Sequence, residues 1–220
     1  HSAILARSMG IPAVMSAKNC TQIIAYGETV IADGFCGRVY TSPAESEIED
    51  YRRRQKEFLN ERKNASVIKN SKIKVLGNIQ NAKDACKILQ NGGEGVGLFR
   101  TEFLITNRLP SEEEQFSAYS EVAKIMGCRE VIIRTFDIGG DKDFPCLKRN
   151  KEENPLMGVR GIRFCLENTD IFKTQLRAIM RAACFGNVKI CLPFITLTEE
   201  IRKTKILISQ CEKELKSENL

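Results

Sequence analysis

The chain has 220 residues, 42% of them hydrophobic and 28% charged, and its 34 basic and 28 acidic residues give a formal net charge of +6. That balance supports a packed core and speaks against disorder. No apolar run approaches the ~20 residues that a bilayer crossing needs, and the first residues carry no signal-peptide pattern.

Residues 1–43 are small, rich in β-type residues and punctuated by glycine. A helical pattern over 2–9 stops at Gly10, with Pro12 just beyond, a usual stop signal. Three short strands are predicted over 22–25, 29–32 and 37–41, with Gly27, Asp33-Gly34 and Gly37 at the turns. Residues 44–71 are polar and charged, and Ile48, Tyr51, Gln55, Phe58, Leu59 and Arg62 form a thin helical stripe. They predict a long, mostly exposed helix linking two domains.

From Lys72 the texture alternates. Strands are predicted over 73–79, 95–99, 130–136 and 188–194. Helices follow each of them over 82–90, 112–126, stretches of 159–184, and 199–215. Ser111 with Glu114, and Thr196 with Glu199, read as capping boxes. Four strand–helix units in a row predict an α/β fold with a parallel sheet and right-handed crossovers. An open doubly wound sheet and a (β/α) barrel both fit, and four units amount to half of a barrel.

Nine cysteines, an odd number with no Cys-x-x-Cys pair, read as reduced small hydrophobes rather than a metal or disulfide framework. The densest basic run, Arg52 to Arg54 with Lys56, lies among Glu47, Glu49, Asp50 and Glu57. It reads as a solvated helix face, so a nucleic-acid reading rests on net charge alone.

Chemistry in parallel α/β folds gathers at the C-terminal ends of the strands. Arg100 and Arg134 take equivalent places there, each closing an apolar run in which an unpaired charge is expensive. Two converging guanidiniums match phosphate or carboxylate oxygens. The plainer alternative is that each pairs with a local acid, Glu102 or Asp137. The glycine turn at 137–142 permits close backbone approach but lacks Walker-loop spacing. Arg160 and Arg163 are expected on the following helix, where an ordinary surface arginine is an equally good reading for Arg160 and the better one for Arg163. His1 is the only histidine, and it opens the helix over 2–9. A helix N-terminus disfavours imidazolium, which leaves a nucleophilic neutral ring, and its N–H groups welcome an anionic phosphoryl group. A surface histidine or a tag remnant is the bland alternative.

Residues 1–14 (HSAILARSMGIPAV) resemble the phosphohistidine signature of phosphoenolpyruvate-utilising enzymes. Residues 95–104 (GVGLFRTEFL), 109–116 (LPSEEEQF), 134–142 (RTFDIGGDK), and 152–156 (EENPL) with 158–160 (GVR) resemble enzyme I of the sugar phosphotransferase system. Pyruvate phosphate dikinases and phosphoenolpyruvate synthases share the histidine signature but are less similar around 134–142. The resemblance implies three parts: the C-terminal part of a phosphohistidine swivelling domain over 1–43, a linker helix over 44–71, and the first four units of a (β/α)8 TIM-type barrel over 72–220. It implies that His1 takes a phosphoryl group from phosphoenolpyruvate and passes it to a histidine-containing phosphocarrier protein, for sugar uptake. To do so, His1 swings towards Arg100 and Arg134, which hold the substrate phosphate.

The same resemblance implies Mg2+ as cofactor. Its ligands, the arginine for the substrate carboxylate and the proton-donating cysteine are expected in a second barrel half beyond Leu220, so no metal ligand is assigned in this chain. It also implies a cytoplasmic protein, homodimeric at full length, with no membrane or nucleic-acid partner. Because the sequence opens on histidine rather than methionine, it is expected to be an internal piece of a longer protein, incomplete and inactive alone. The loop over 105–108 is shorter than usual for the family. A non-catalytic remnant that binds an anion or a partner is the reading from another class.

Overall fold

The structure is a computed structural model that describes residues 2–64, 72–139, 154 and 157–220. The chain divides into two compact units, His1–Ser66 and Val67–Leu220. Among the described residues no helix is long and apolar enough to cross a membrane.

The first unit contains α1 (Ser2–Met9), α2 (Cys20–Ile23), β1 (Val30–Asp33), β2 (Arg38–Thr41) and α3 (Glu45–Asn64). β1 and β2 form an antiparallel hairpin with Val30 opposite Thr41 and Asp33 opposite Arg38. Asp33 sets the turn: its Oδ1 accepts from the Phe35 and Cys36 amides at 2.9 and 3.0 Å, the local bonding that favours Asp in turns. The other Asp33 oxygen accepts from the Tyr51 hydroxyl at 3.3 Å. Phe35 meets Phe58 edge-on at 4.9 Å between ring centres, so α3 lies along the hairpin.

The strand expected over 22–25 is not formed. Its first two residues, Gln22 and Ile23, enter α2, where Asn19 adopts a left-handed φ of 55° and its carbonyl accepts from their amides. A four-residue apolar run has no period of its own, and local bonds to Asn19 satisfy its backbone with no partner strand.

The second unit is a parallel sheet of β3 (Leu76–Ile79), β4 (Gly95–Arg100), β5 (Glu130–Arg134) and β6 (Asn187–Cys191), each hydrogen-bonded to the next in sequence. The connections carry α4 (Ala82–Gln90), α5 (Glu112–Met126), α6 (Ile162–Glu167) and α7 (Thr169–Ala182), and α8 (Thr198–Ser217) follows β6. Strand side chains alternate between faces. Ile79, Val96, Phe99, Val131 and Ile133 pack in one cluster with Ala85 of α4, Tyr119, Val122 and Met126 of α5, and Ile179 and Ala182 of α7. One sheet face is therefore covered by helices. A second cluster joins Phe136 and Ile138 to Phe164, Phe172, Leu176 and Cys211, seating α6, α7 and α8 beyond the ends of the strands.

Ser111 caps α5 as expected: its Oγ accepts from the Glu114 amide at 3.3 Å, and Glu114 accepts in return from the Ser111 amide at 2.8 Å. At α8 the expectation shifts by one residue. Glu200, not Glu199, folds back, accepting from the Thr196 and Leu197 amides at 2.7 and 2.8 Å. Glu200 is buried, so the face that turns towards α6 and α7 decides which of two adjacent glutamates does this.

Candidate functional site

Arg100 closes β4 and Arg134 closes β5, and the two are Cα partners across the sheet. Next in the row, Arg134 pairs with Cys191 at the end of β6. Phe99 and Ile133, one residue earlier, face the helix layer, so the two arginines share the opposite face at the C-terminal end of the sheet.

Their surroundings differ. Arg134 is largely buried, with 18% of its side chain exposed. Its Nη2 donates to both Glu102 oxygens at 3.1 Å and lies 3.5 Å from Asp137 Oδ2. Its Nε is buried with no hydrogen-bond partner among the described residues. Glu102 sits on a single 3-10 turn, Thr101–Leu104, which directly follows Arg100 and holds the carboxylate under β5. There it also accepts from the Asp137 amide at 2.8 Å. Asp137 is gripped in turn by Arg160, Nε to Oδ1 at 2.9 Å and Nη2 to Oδ2 at 3.2 Å. The pairing with a local acid is therefore what Arg134 does. Arg100 is half-buried, and its side chain makes no hydrogen bond or ion pair among the described residues.

Arg160 is not the surface arginine on a helix that its sequence context allows. It precedes α6, is 8% exposed, and its guanidinium stacks 4.5 Å from the centre of the Phe194 ring. The turn holding it depends on Gly161, at φ 57°, where a Cβ would stand 2.8 Å from the Pro193 carbonyl oxygen. Arg163 does lie on α6, and its Nε is buried without a partner among the described residues.

Two guanidiniums, of Arg134 and Arg160, thus meet two carboxylates, of Glu102 and Asp137, and Arg100, in register with Arg134, adds a positive charge with no carboxylate partner among the described residues. Such an end-of-strand cluster is suited to a planar or tetrahedral oxyanion. Cys165 beneath it is no nucleophile: burial, with Asp137 and Glu102 nearby, pushes its thiol up to about 12. Among the described residues no three His, Cys, Asp or Glu side chains are grouped to hold a metal ion. Glu102 and Asp137, the carboxylates nearest the arginines, are already engaged by guanidiniums and do not fit Mg2+ as they stand.

His1 lies outside the described residues, as do Gly140, Asp141 and Lys142 of the glycine turn and Glu152, Glu153, Pro155 and Leu156 of the next motif. Sequence reasoning brought Arg100 and Arg134 together but missed the Asp137–Arg160 clamp and Gln175. Gln175 is a fully buried amide on α7 that bonds to the ends of β4 and β5. Its readable signal is a polar residue set in the apolar stripe Phe172, Leu176 and Ile179.

Fold and site together define a parallel α/β protein with arginines gathered at the C-terminal ends of its strands. Residues 54–220 match the family described as PEP-utilising enzyme, PEP-binding domain, and residues 1–37 match PEP-utilising enzyme, mobile domain. The chain belongs to the family of phosphoenolpyruvate-utilising enzymes. Among curated proteins it is 42% identical to the phosphoenolpyruvate-protein phosphotransferase of Priestia megaterium, over 100% of this chain and 40% of that protein. The proteins of the same name from Bacillus subtilis and Staphylococcus carnosus are 42% and 38% identical, each over 99% of this chain and 40% of their own length. The chain thus spans 40% of the length of these relatives.

Proposed function

We propose that this chain contributes the phosphate-holding part of a phosphoenolpyruvate-protein phosphotransferase. In this reading Arg100 and Arg134 bind the phosphoryl group of phosphoenolpyruvate, and His1 takes it and hands it to a histidine-containing phosphocarrier protein in sugar uptake. The observation that carries it is Arg100: a half-buried guanidinium without a counter-charge among the described residues, in register with Arg134. Phosphoryl transfer needs positioning and charge stabilisation more than covalent help, and paired guanidiniums supply both. Arg100 offers its donors to the phosphoryl oxygens, while Glu102 fixes Arg134 in place. Mg2+, when bound, adds charge neutralisation, and its ligands belong to residues other than the described ones.

Strand order and the one-sided helix layer support residues 72–220 as the first four units of a (β/α)8 barrel. Residues 1–43 are then part of the swivelling phosphohistidine domain and 44–71 its linker. The whole protein is read as cytoplasmic and homodimeric.

Binding is tested by titrating phosphoenolpyruvate into the 220-residue chain by calorimetry, with inorganic phosphate as competitor. Arg100→Ala is expected to weaken binding by at least about tenfold, the loss of a charge-assisted pair. Unchanged affinity would overturn the assignment of Arg100. Transfer is tested in a chimera in which this chain replaces its counterpart in the Bacillus subtilis relative. Label from phosphoenolpyruvate should appear on His1 and vanish in His1→Ala, and label that persists there would remove His1 from the reading.

A further inference from the structure

Gln175 of α7 lies directly beneath the two arginines without touching the face they share. It is 0% exposed, and every hydrogen-bonding group of its amide is used. Oε1 accepts from the Phe136 amide at 2.9 Å, one residue before Asp137. Nε2 donates to Thr101 Oγ1 and to the Tyr119 hydroxyl, both at 3.2 Å. Thr101 immediately follows Arg100, and its hydroxyl donates across the sheet to the Arg134 carbonyl at 2.8 Å.

Proton counting makes this position selective. A hydroxyl has one proton. That of Thr101 goes to the Arg134 carbonyl, and that of Tyr119 goes to Gln115 Oε1 at 3.1 Å. Both hydroxyls therefore turn only lone pairs towards residue 175, while the Phe136 amide turns a proton to it. Position 175 must donate twice and accept once at a fixed reach. A glutamine does this, whereas a carboxylate accepts only and an apolar side chain does neither.

From this we propose that Gln175 is a positioning residue for the phosphate site: it locks the end of β4 to the end of β5 and so sets the spacing of the Arg100 and Arg134 guanidiniums. The assignment rests on the phosphoryl-binding role proposed for those arginines. Its separate content is that a buried amide on a helix behind the sheet, in contact with no ligand, determines how well two guanidiniums converge.

The test follows the Nε–Hε signals of Arg100 and Arg134 by NMR in the isotope-labelled 220-residue chain, free and titrated with phosphoenolpyruvate. Gln175→Met, of similar volume, should shift both signals in the ligand-free protein and weaken binding by about tenfold. Tyr119→Phe removes only the branch towards α5. It should lower the melting temperature yet leave both arginine signals and the affinity near those of the parent. Gln175→Glu should bind poorly at neutral pH and recover relative to the parent, compared at equal pH, as acidification protonates the new carboxyl and restores one donor. A merely structural role predicts no such pH-dependent ratio. Should Gln175→Met not fold, Thr101→Val breaks the same link from the other side. Parent-like signals and affinity in Gln175→Met, or in Thr101→Val where that one is used, would overturn the proposal. Failure of the phosphate reading looks different: the parent does not bind, or Arg100→Ala binds as the parent does. In that case the ligand-free arginine signals still decide whether Gln175 positions them.

Discussion

Arg100 and Arg134 are in register, yet one guanidinium is held by carboxylates and the other has none among the described residues. Glu102 makes the difference, because it bonds both to Arg134 and to the Asp137 amide. Removing one partner of a largely buried charged pair leaves the other desolvated and uncompensated. Glu102→Ala is therefore expected to cost about 3 kcal/mol in urea denaturation. A loss below about 1 kcal/mol would mean that Asp137 or water already compensates Arg134. The two arginines were legible because each ends an apolar run where a charge is out of place. Arg160 was not, since its partner Asp137 stands 23 residues earlier and only the folded turn at Gly161 brings them together. Gln175 reaches Thr101 across 74 residues, a contact no local pattern encodes.

Among the elements, the helices over Ala82–Gln90 and Glu112–Met126 were legible to the residue. Asn81 and Ser111 cap them through side-chain oxygens, and their apolar stripes keep a helical period. The run over 22–25 failed because four residues cannot show which period they follow. The strand end after Arg134 was overextended for a related reason: Thr135 and Phe136 are buried like strand residues, but Phe136 bonds to Gln175 rather than to a neighbouring strand. The α5 cap also carries a pH prediction. Glu114 accepts from Arg108, and from the Ser111 amide, which together bring its carboxyl down to about 2 from an ordinary 4.5. A carboxyl depressed on folding stabilises fully above its unfolded value and loses that contribution as pH falls through the folded one. The contribution of Glu114 is thus present above about pH 4.5 and fades towards pH 2. In Glu114→Gln the melting temperature should fall less steeply across that window than in the parent. Parallel curves would show that this carboxylate contributes nothing to acid sensitivity.

At the scale of the whole molecule, the two units differ in what they bury. Among the described residues no hydrophobic side chain before Ile79 belongs to the buried core, while Leu5, Met9, Ile11, Met15, Ile23, Tyr26 and Phe35 of the first unit are exposed. The second unit holds both core clusters, and α7 contributes to each of them. Local opening is easiest where few apolar contacts must be broken. Hydrogen exchange should therefore separate the units: amides of α1, α2 and the β1–β2 hairpin exchange early, and those of β4, β5, α5 and α7 exchange only through opening of the whole second unit. The polar network under the arginines belongs to that slow set, because Gln175 and Thr101 are fully buried within it. A site meant to hold an anion without rearranging needs such a rigid floor. If the Thr101 and Phe136 amides instead exchange as early as the hairpin, the two arginines stand on a mobile base, and the rigid floor argued for the proposed phosphate site is absent.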